Sequence, residues 1–173
     1  MSYHFKTKLL KDEQAAIMWY FFIHVPVEYA KELIKEDRRV VCTFNDSLKS
    51  HSALTSDGNG NYCITINKEN RKKLGIEAGD TIDVHIENDS SEYGIAVPEV
   101  FYALIEQDPE GSTVFHQLTP GKQRSLLHIM GKPKSENKQM EKAFIIFDYL
   151  KSVHGKLDFK ELNEAFKNSR FKL

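Results

Sequence analysis

The chain has 173 residues and a mass of 20.0 kDa, and its 40% hydrophobic and 11% aromatic content is enough apolar mass to offset ordering entropy, which excludes intrinsic disorder. Lys and Arg number 24 against 25 Asp and Glu, so the formal charge of -1 excludes a chain coated with positive charge for a polyanion. The predicted elements begin with Phe5, Thr7 and Leu9, which alternate with His4, Lys6 and Lys8 at the period of a half-buried strand. Residues Ala16 to Val25 are almost continuously apolar and aromatic, as in a strand covered on both faces. Pro26 suits the first turn of a helix reaching about Asp37, with Tyr29, Leu33 and Ile34 on one stripe. Strands follow at Val40 to Phe44 and Leu48 to Leu54, and the polar run Ser56 to Asn61 turns the chain into a strand at Tyr62 to Ile66. Lys68 to Leu74 reads as a short helix stopped by Gly75. Gly79 and Asp80 then turn the chain into Thr81 to Glu87, where Ile82, Val84 and Ile86 share a face.

Residues 88–96 are polar and contain Gly94, and they form the best linker. Beyond them the period lengthens. Val97 to Gln107 carries Val100, Phe101, Leu104 and Ile105 at helical spacing, and Thr119-Pro120 opens a helix with Leu126, Leu127, Ile129 and Met130 to bury. Lys132 to Asn137 breaks that helix. Glu141 to Val153 is a strong amphipathic helix with Gly155 as its C-cap, and Asp158 caps a last helix carrying Leu162 and Phe166. Charge is uneven along this half: residues 91–120 hold five acids and no Lys or Arg, whereas residues 121–173 hold 12 basic and 6 acidic groups. Solvated helix faces explain this asymmetry, with a partner surface as the alternative. The longest apolar run, Ala15 to Val27, contains His24 and Pro26 and falls short of the roughly 20 apolar residues of a bilayer span. Asp12 and Glu13 precede that run and no small-residue cleavage site follows it, so a soluble cytoplasmic protein is expected. Cys42 and Cys63 could form one disulfide, but their strand-like surroundings suit buried thiols in a reducing compartment.

The most specific string is Ile64-Thr65-Ile66-Asn67-Lys68-Glu69-Asn70-Arg71-Lys72-Lys73-Leu74-Gly75-Ile76-Glu77-Ala78-Gly79-Asp80. It resembles the strand–helix–turn–strand unit of AbrB-like transcription factors. DNA binding would need that unit twice, through dimerisation, with a basic surface. The first 90 residues hold 12 basic and 14 acidic groups, which opposes phosphate-backbone binding. The glycine-punctuated segment is therefore expected to close a cylinder, with Leu74 and Ile76 plugging its end, rather than to grip a duplex. The order Phe5…Leu9, Ala16…Trp19…Phe22…Val25-Pro26, Arg39-Val40, Asp57-Gly58 and Arg71…Gly79-Asp80 extends the comparison. It resembles a bacterial small-barrel family of unknown function, over about residues 3–88. Val97-Pro98-Glu99…Ala103-Leu104, Phe115…Leu118-Thr119-Pro120 and Leu126…Ile129…Gly131-Lys132 resemble the bacteriocin-protection (YdeI or OmpD-associated) helical domain, over about residues 96–152. That family carries a Glu-Thr-Arg…Arg-Ile segment where this chain has Glu136-Asn137-Lys138-Gln139-Met140-Glu141, so no role of that segment is carried over.

Familiar chemistries do not assemble. Leu150, Ser152 and His154 would occupy the first three ligand positions of a calcium loop ending at Asp158 and Glu161, and a leucine supplies no oxygen. Seven histidines, among them His85 on a polar strand face and His128 four residues after Arg124, show no metal-ligand spacing. Gly121-Lys122 lacks the earlier glycine of a phosphate loop, and neither Ser nor Cys stands in a nucleophile elbow. No catalytic residue, metal or cofactor is expected. The candidate ligand-binding residues are Lys68, Arg71 and Trp19. Trp19 lies in the apolar run, where core filling is its plain role, and Arg71 is expected on the surface. An anion would be sought at the helix N-terminus near Lys68 and Arg71.

The expected architecture is α+β. A small closed β-barrel of about six strands, double-psi-like, fills residues 1–90. A helical domain follows over residues 96–173, YdeI/OmpD-associated-like to about 152 and then a C-terminal helix. The expected function is a non-enzymatic binding or interaction module whose partner is a protein or a small molecule, with no membrane and no nucleic acid. The alternatives are an AbrB-like nucleic-acid-binding dimer and an enzyme acting on a small anionic ligand in a barrel–helix cleft.

Overall fold

The computed structural model describes residues 1–12 and 20–169. Backbone contacts divide the chain into two compact units, Met1–Gly94 and Ile95–Leu173. The first holds β1 (Ser2–Lys8), β2 (Leu10–Asp12), β3 (Tyr20–Val25), α1 (Val27–Leu33), β4 (Arg39–Phe44), β5 (Leu48–Ala53), β6 (Thr55–Ser56), β7 (Tyr62–Thr65), α2 (Lys68–Leu74) and β8 (Thr81–Asn88).

These strands form two open antiparallel sheets, ordered β1-β8-β4-β5 and β2-β3-β7-β6, so the closed, double-psi-like barrel expected from the sequence is not formed. Leu9 and Leu54 explain the arrangement. Each is a single buried residue between consecutive strands, β1 and β2 or β5 and β6, and each carries the chain from one sheet to the other. The strand after Leu54, β6, is only two residues long, too short to extend a ladder around a cylinder. Among the described residues, no backbone ladder joins β1 to β3 or β5 to β7. Inward-facing side chains fill the space between the sheets instead. Ile82, Val84 and Ile86 of β8 meet Ile23, Val25 and Ile64 of the second sheet in one apolar cluster, to which α1 adds Ala30 and Leu33.

Local chemistry accounts for most of the elements. Asn45 and Asp46 both have positive φ (48° and 50°), and Ser47 N donates to Phe44 O at 3.0 Å, so a tight primed-type turn joins β4 to β5. α1 stops at Leu33 rather than near Asp37. After it, Lys35 and Glu36 donate to Glu32 O and Leu33 O in i to i−3 bonds, and Lys35-Glu36-Asp37 offers no apolar face to bury. Residues 16–19 of the run expected to be covered on both faces lie outside the described residues; in β3, Ile23 and Val25 are buried, but Tyr20 is 37% exposed and Phe22 and His24 are half-buried, so this part of the run is not covered on both faces. The outer rings cover one another: Tyr20 to Phe22 is 5.4 Å and Phe22 to His24 is 5.3 Å between centroids.

Polar residues 88–94 do not run free. Asp89 has a fully buried side chain that pairs with His51 Nδ1 at 2.8 Å and accepts from Ser91 N at 3.0 Å. Arg39 Nη2 donates to Gly94 O, and Tyr93 is only 7% exposed. Burial opposes ionisation of Asp89, but the bonds from Ser91 and His51 outweigh it and hold the carboxyl below its ordinary value. A depressed folded-state pKa contributes stability above the unfolded value of about 3.9, and that stability is lost as pH falls through the folded value. Asp89→Asn is expected to cost about 1–3 kcal/mol at neutral pH and to flatten the acid limb of the stability profile. Urea titrations between pH 3 and 7 would show this; an unchanged acid limb would contradict it.

The second unit holds α3 (Glu99–Gln107), α4 (Pro109–His116), α5 (Pro120–Gly131), α6 (Glu136–Ser152) and α7 (Phe159–Asn168). α4 is absent from the sequence reading because Pro109-Glu110-Gly111-Ser112 has the composition of a turn. Asp108 makes it a helix by capping it, its carboxylate accepting from Gly111 N at 2.8 Å, with Pro109 in the first turn. α6 begins at Glu136, five residues before the expected start at Glu141. Phe101, Phe115 and Phe147 meet at the centre, all fully buried. At the α6–α7 joint, Asp158 accepts from Lys160 N and Glu161 N at 2.7 and 3.1 Å, and Glu161 accepts from Tyr149 OH at 3.0 Å. Both carboxylates that a calcium loop would use are thus engaged within the helical joint.

Candidate functional site

α2 follows from Asn67 at one end and Gly75 at the other. The Asn67 side chain accepts from Asn70 N at 2.8 Å, which caps the helix start. Gly75 has φ of 65°, and this left-handed turn lets Gly75 N and Ile76 N donate to Lys72 O and Arg71 O, closing the helix C-terminus. Ile76 is 7% exposed and, with Leu74, packs on the core of the two sheets. Glu77 N donates to the Asp80 carboxylate at 2.8 Å, which fixes the turn into β8.

Between the helix flank and this turn lies an open cleft of about 410 Å3 lined by Lys68, Arg71, Lys72, Gly75, Ile76 and Glu77. The spacing explains the convergence. Residues three, four and seven positions beyond Lys68 share its helix face, so Arg71, Lys72 and Gly75 stand in one stripe. The structure therefore brings Lys68 and Arg71 together, along the helix flank rather than at its capped N-terminus. Trp19 lies outside the described residues.

Arg71 is half-buried rather than lying free on the surface. Its guanidinium carbon sits 3.5 Å from the centroid of the Phe21 ring, and Nη1 donates to Ile66 O at 2.8 Å. The stack desolvates one face of the cation, and the hydrogen bond fixes its rotation about the ring. Sequence reasoning missed Lys72 and Glu77 as lining residues, although the helical spacing and the Gly75 stop were there to find them. Phe21 carried no local signal, because it stands fifty positions away and reaches Arg71 only through the packing of β3 against the strand that feeds α2.

A second cleft of about 280 Å3 lies on the outer face of the first sheet, lined by Ser2, Val41, Thr43, Asp46, His85, Ile86 and Glu87. Beside it His85 stacks on His4 with centroids 4.6 Å apart, and His4 Nε2 meets Asp83 Oδ1 at 2.5 Å. Its charged lining is acidic, the opposite of the cleft beside α2.

Burial pushes the Cys42 thiol up to about 12, and burial with the nearby Asp57 carboxylate raises Cys63, so both free cysteines stay protonated. Asp108 is held down, against its burial, by Lys151 at 2.6 Å and by Gly111 N; Lys151 is raised by that same bond. Among the described residues no group of three His, Cys, Asp or Glu side chains is placed to hold a metal ion, and no helix is long and apolar enough to cross a membrane.

The geometry defines a two-sheet antiparallel unit with a basic cleft beside its second helix, followed among the described residues by helices α3 to α7. Residues 5–86, within that first unit, match the family model of a domain of unknown function (DUF1905). No curated protein and no solved structure matches the chain.

Proposed function

We propose that the protein is a non-enzymatic binding module whose ligand, a small anionic molecule, seats in the cleft beside α2. The observation that carries this reading is the convergence of Lys68, Arg71 and Lys72 on one cleft, with Arg71 pre-oriented by Phe21 and Ile66. A fixed cation loses little conformational entropy when a ligand arrives, which favours recognition. Binding is favoured over catalysis because both free thiols are buried outside this cleft and held protonated. Free, buried Cys42 and Cys63 support a reducing, cytoplasmic setting. For the helical unit we propose the bacteriocin-protection type of domain; Val97-Pro98-Glu99, Leu118-Thr119-Pro120 and Gly131-Lys132, at the ends of α3 and α5, support it, and it brings no molecular activity with it.

The test is a melting-temperature screen of the intact protein against small metabolites. A ligand at a hundred times its dissociation constant stabilises the folded state by about 2.7 kcal/mol, enough to raise the melting temperature by a few degrees. Anionic metabolites are expected to raise it in the wild type and to lose that effect in the Lys68→Ala, Lys72→Ala double variant. If no ligand stabilises the protein, or the variant responds equally, the reading fails.

A further inference from the structure

We infer that the ligand class of this cleft is a phosphate monoester of a small metabolite, held through the guanidinium of Arg71; this rests on the binding-module reading above. Charge gives the first argument. Three cations, Lys68, Arg71 and Lys72, line the cleft together with one carboxylate, Glu77, and leave a net charge of +2 on the lining. A phosphate monoester carries about −1.5 to −2 at neutral pH, whereas a single carboxylate leaves half of that field unanswered.

Geometry gives the second. With one face on Phe21 and Nη1 tied to Ile66 O, the guanidinium plane cannot turn freely, so the rest of its donor fork is presented in a set direction. Planar, paired donation to phosphate oxygens is the recognition that arginine performs and a mobile lysine does not. The two lysines, one before and one after Arg71 along α2, add charge without direction.

The remaining lining limits the class. Glu77 on the same rim repels longer polyanions and accepts a hydrogen bond from a hydroxyl on the ester carbon skeleton. Ile76 supplies an apolar wall for that skeleton, and about 410 Å3 falls in the range of about 300–1,000 Å3 typical of small-molecule sites. A nucleic-acid backbone is a poorer match, since the first 90 residues hold 14 acidic against 12 basic groups.

Calorimetric titration of the full chain with glycerol phosphate, glycerol and pyrophosphate tests the inference, with the Arg71 Nε–H resonance followed in parallel. Glycerol phosphate is expected to bind and to shift that resonance, glycerol to do neither, and pyrophosphate to bind no more tightly than glycerol phosphate. Arg71→Lys, which keeps the charge and removes the fork, is expected to weaken glycerol phosphate about tenfold. The wild-type resonance is read without any variant, so a destabilised Arg71→Lys does not remove the test. Equal affinity in wild type and Arg71→Lys, a silent Arg71 resonance, or pyrophosphate tighter by tenfold would each overturn the phosphate monoester. A carboxylate metabolite seated in the same cleft, with glycerol phosphate silent, would overturn it too while leaving the anion-binding reading intact. Silence of the cleft to glycerol phosphate and to every screened metabolite would end both.

Discussion

Replacing Phe147 by alanine is expected to destabilise the helical unit by about 3–5 kcal/mol, the range for removing a fully buried aromatic side chain. Phe147 is fully buried on α6, with its ring 6.0 Å from Phe115 and 6.3 Å from Phe101 between centroids. It also fixes the approach of α4. A methyl group built on Gly111 would lie 2.4 Å from Phe147 Cδ2 and 2.8 Å from the Asp108 carboxylate, distances at which something must move. Gly111→Ala is therefore destabilising alone, and less so in the Phe147→Ala background, where one of the two clashes is gone. A double-mutant cycle read by urea unfolding is expected to show a coupling of about 0.5–3 kcal/mol. Additive losses, or a Phe147→Ala cost below about 1 kcal/mol, would contradict this packing.

Leu9→Ala is the second large effect, expected at about 2–5 kcal/mol. Leu9 is wholly buried where the chain leaves β1 for β2, and its backbone is held on both sides: Leu9 N donates to Asp80 O at 2.9 Å, and Leu9 O accepts from Gly79 N at 2.8 Å. These bonds persist in the variant, so the backbone cannot collapse into the space left by the side chain. A cavity remains, and its cost adds to the lost transfer energy. Leu10→Ala, one residue on and half-buried, is the control and should cost distinctly less. Urea midpoints with unchanged slopes would report the difference as stability. Equal costs at positions 9 and 10 would mean that Leu9 is not the corner on which the two sheets meet.

The sequence was most legible where one residue decides a local geometry. Gly75 ends α2, Asp158 caps α7, and the alternation of β8 places Ile82, Val84 and Ile86 inward, as their spacing requires. It was least legible where the outcome depends on what a distant residue supplies. Whether strands close on themselves is decided at Leu9 and Leu54, and nothing in Lys8-Leu9-Leu10-Lys11 or in Ala53-Leu54-Thr55 announces a change of sheet. α4 was hidden for a related reason: Gly111 reads as a helix breaker until Phe147 occupies the space a side chain would take. At the candidate site, helical spacing was enough to put Lys68 and Arg71 on one face. The ring beneath Arg71 came from a strand fifty positions earlier, and so turned a residue expected on the surface into a half-buried, oriented one.

The proposed ligand site is the cleft beside α2. Amide correlation spectra of the intact protein, recorded while a stabilising metabolite is titrated, test this most directly. Lys68, Arg71, Lys72, Gly75, Ile76 and Glu77 are expected to shift together and saturate with one dissociation constant. Shifts confined to Ser2, Thr43 and His85 on the other cleft, or to the helices of the second unit, with residues 68–77 silent, would contradict it.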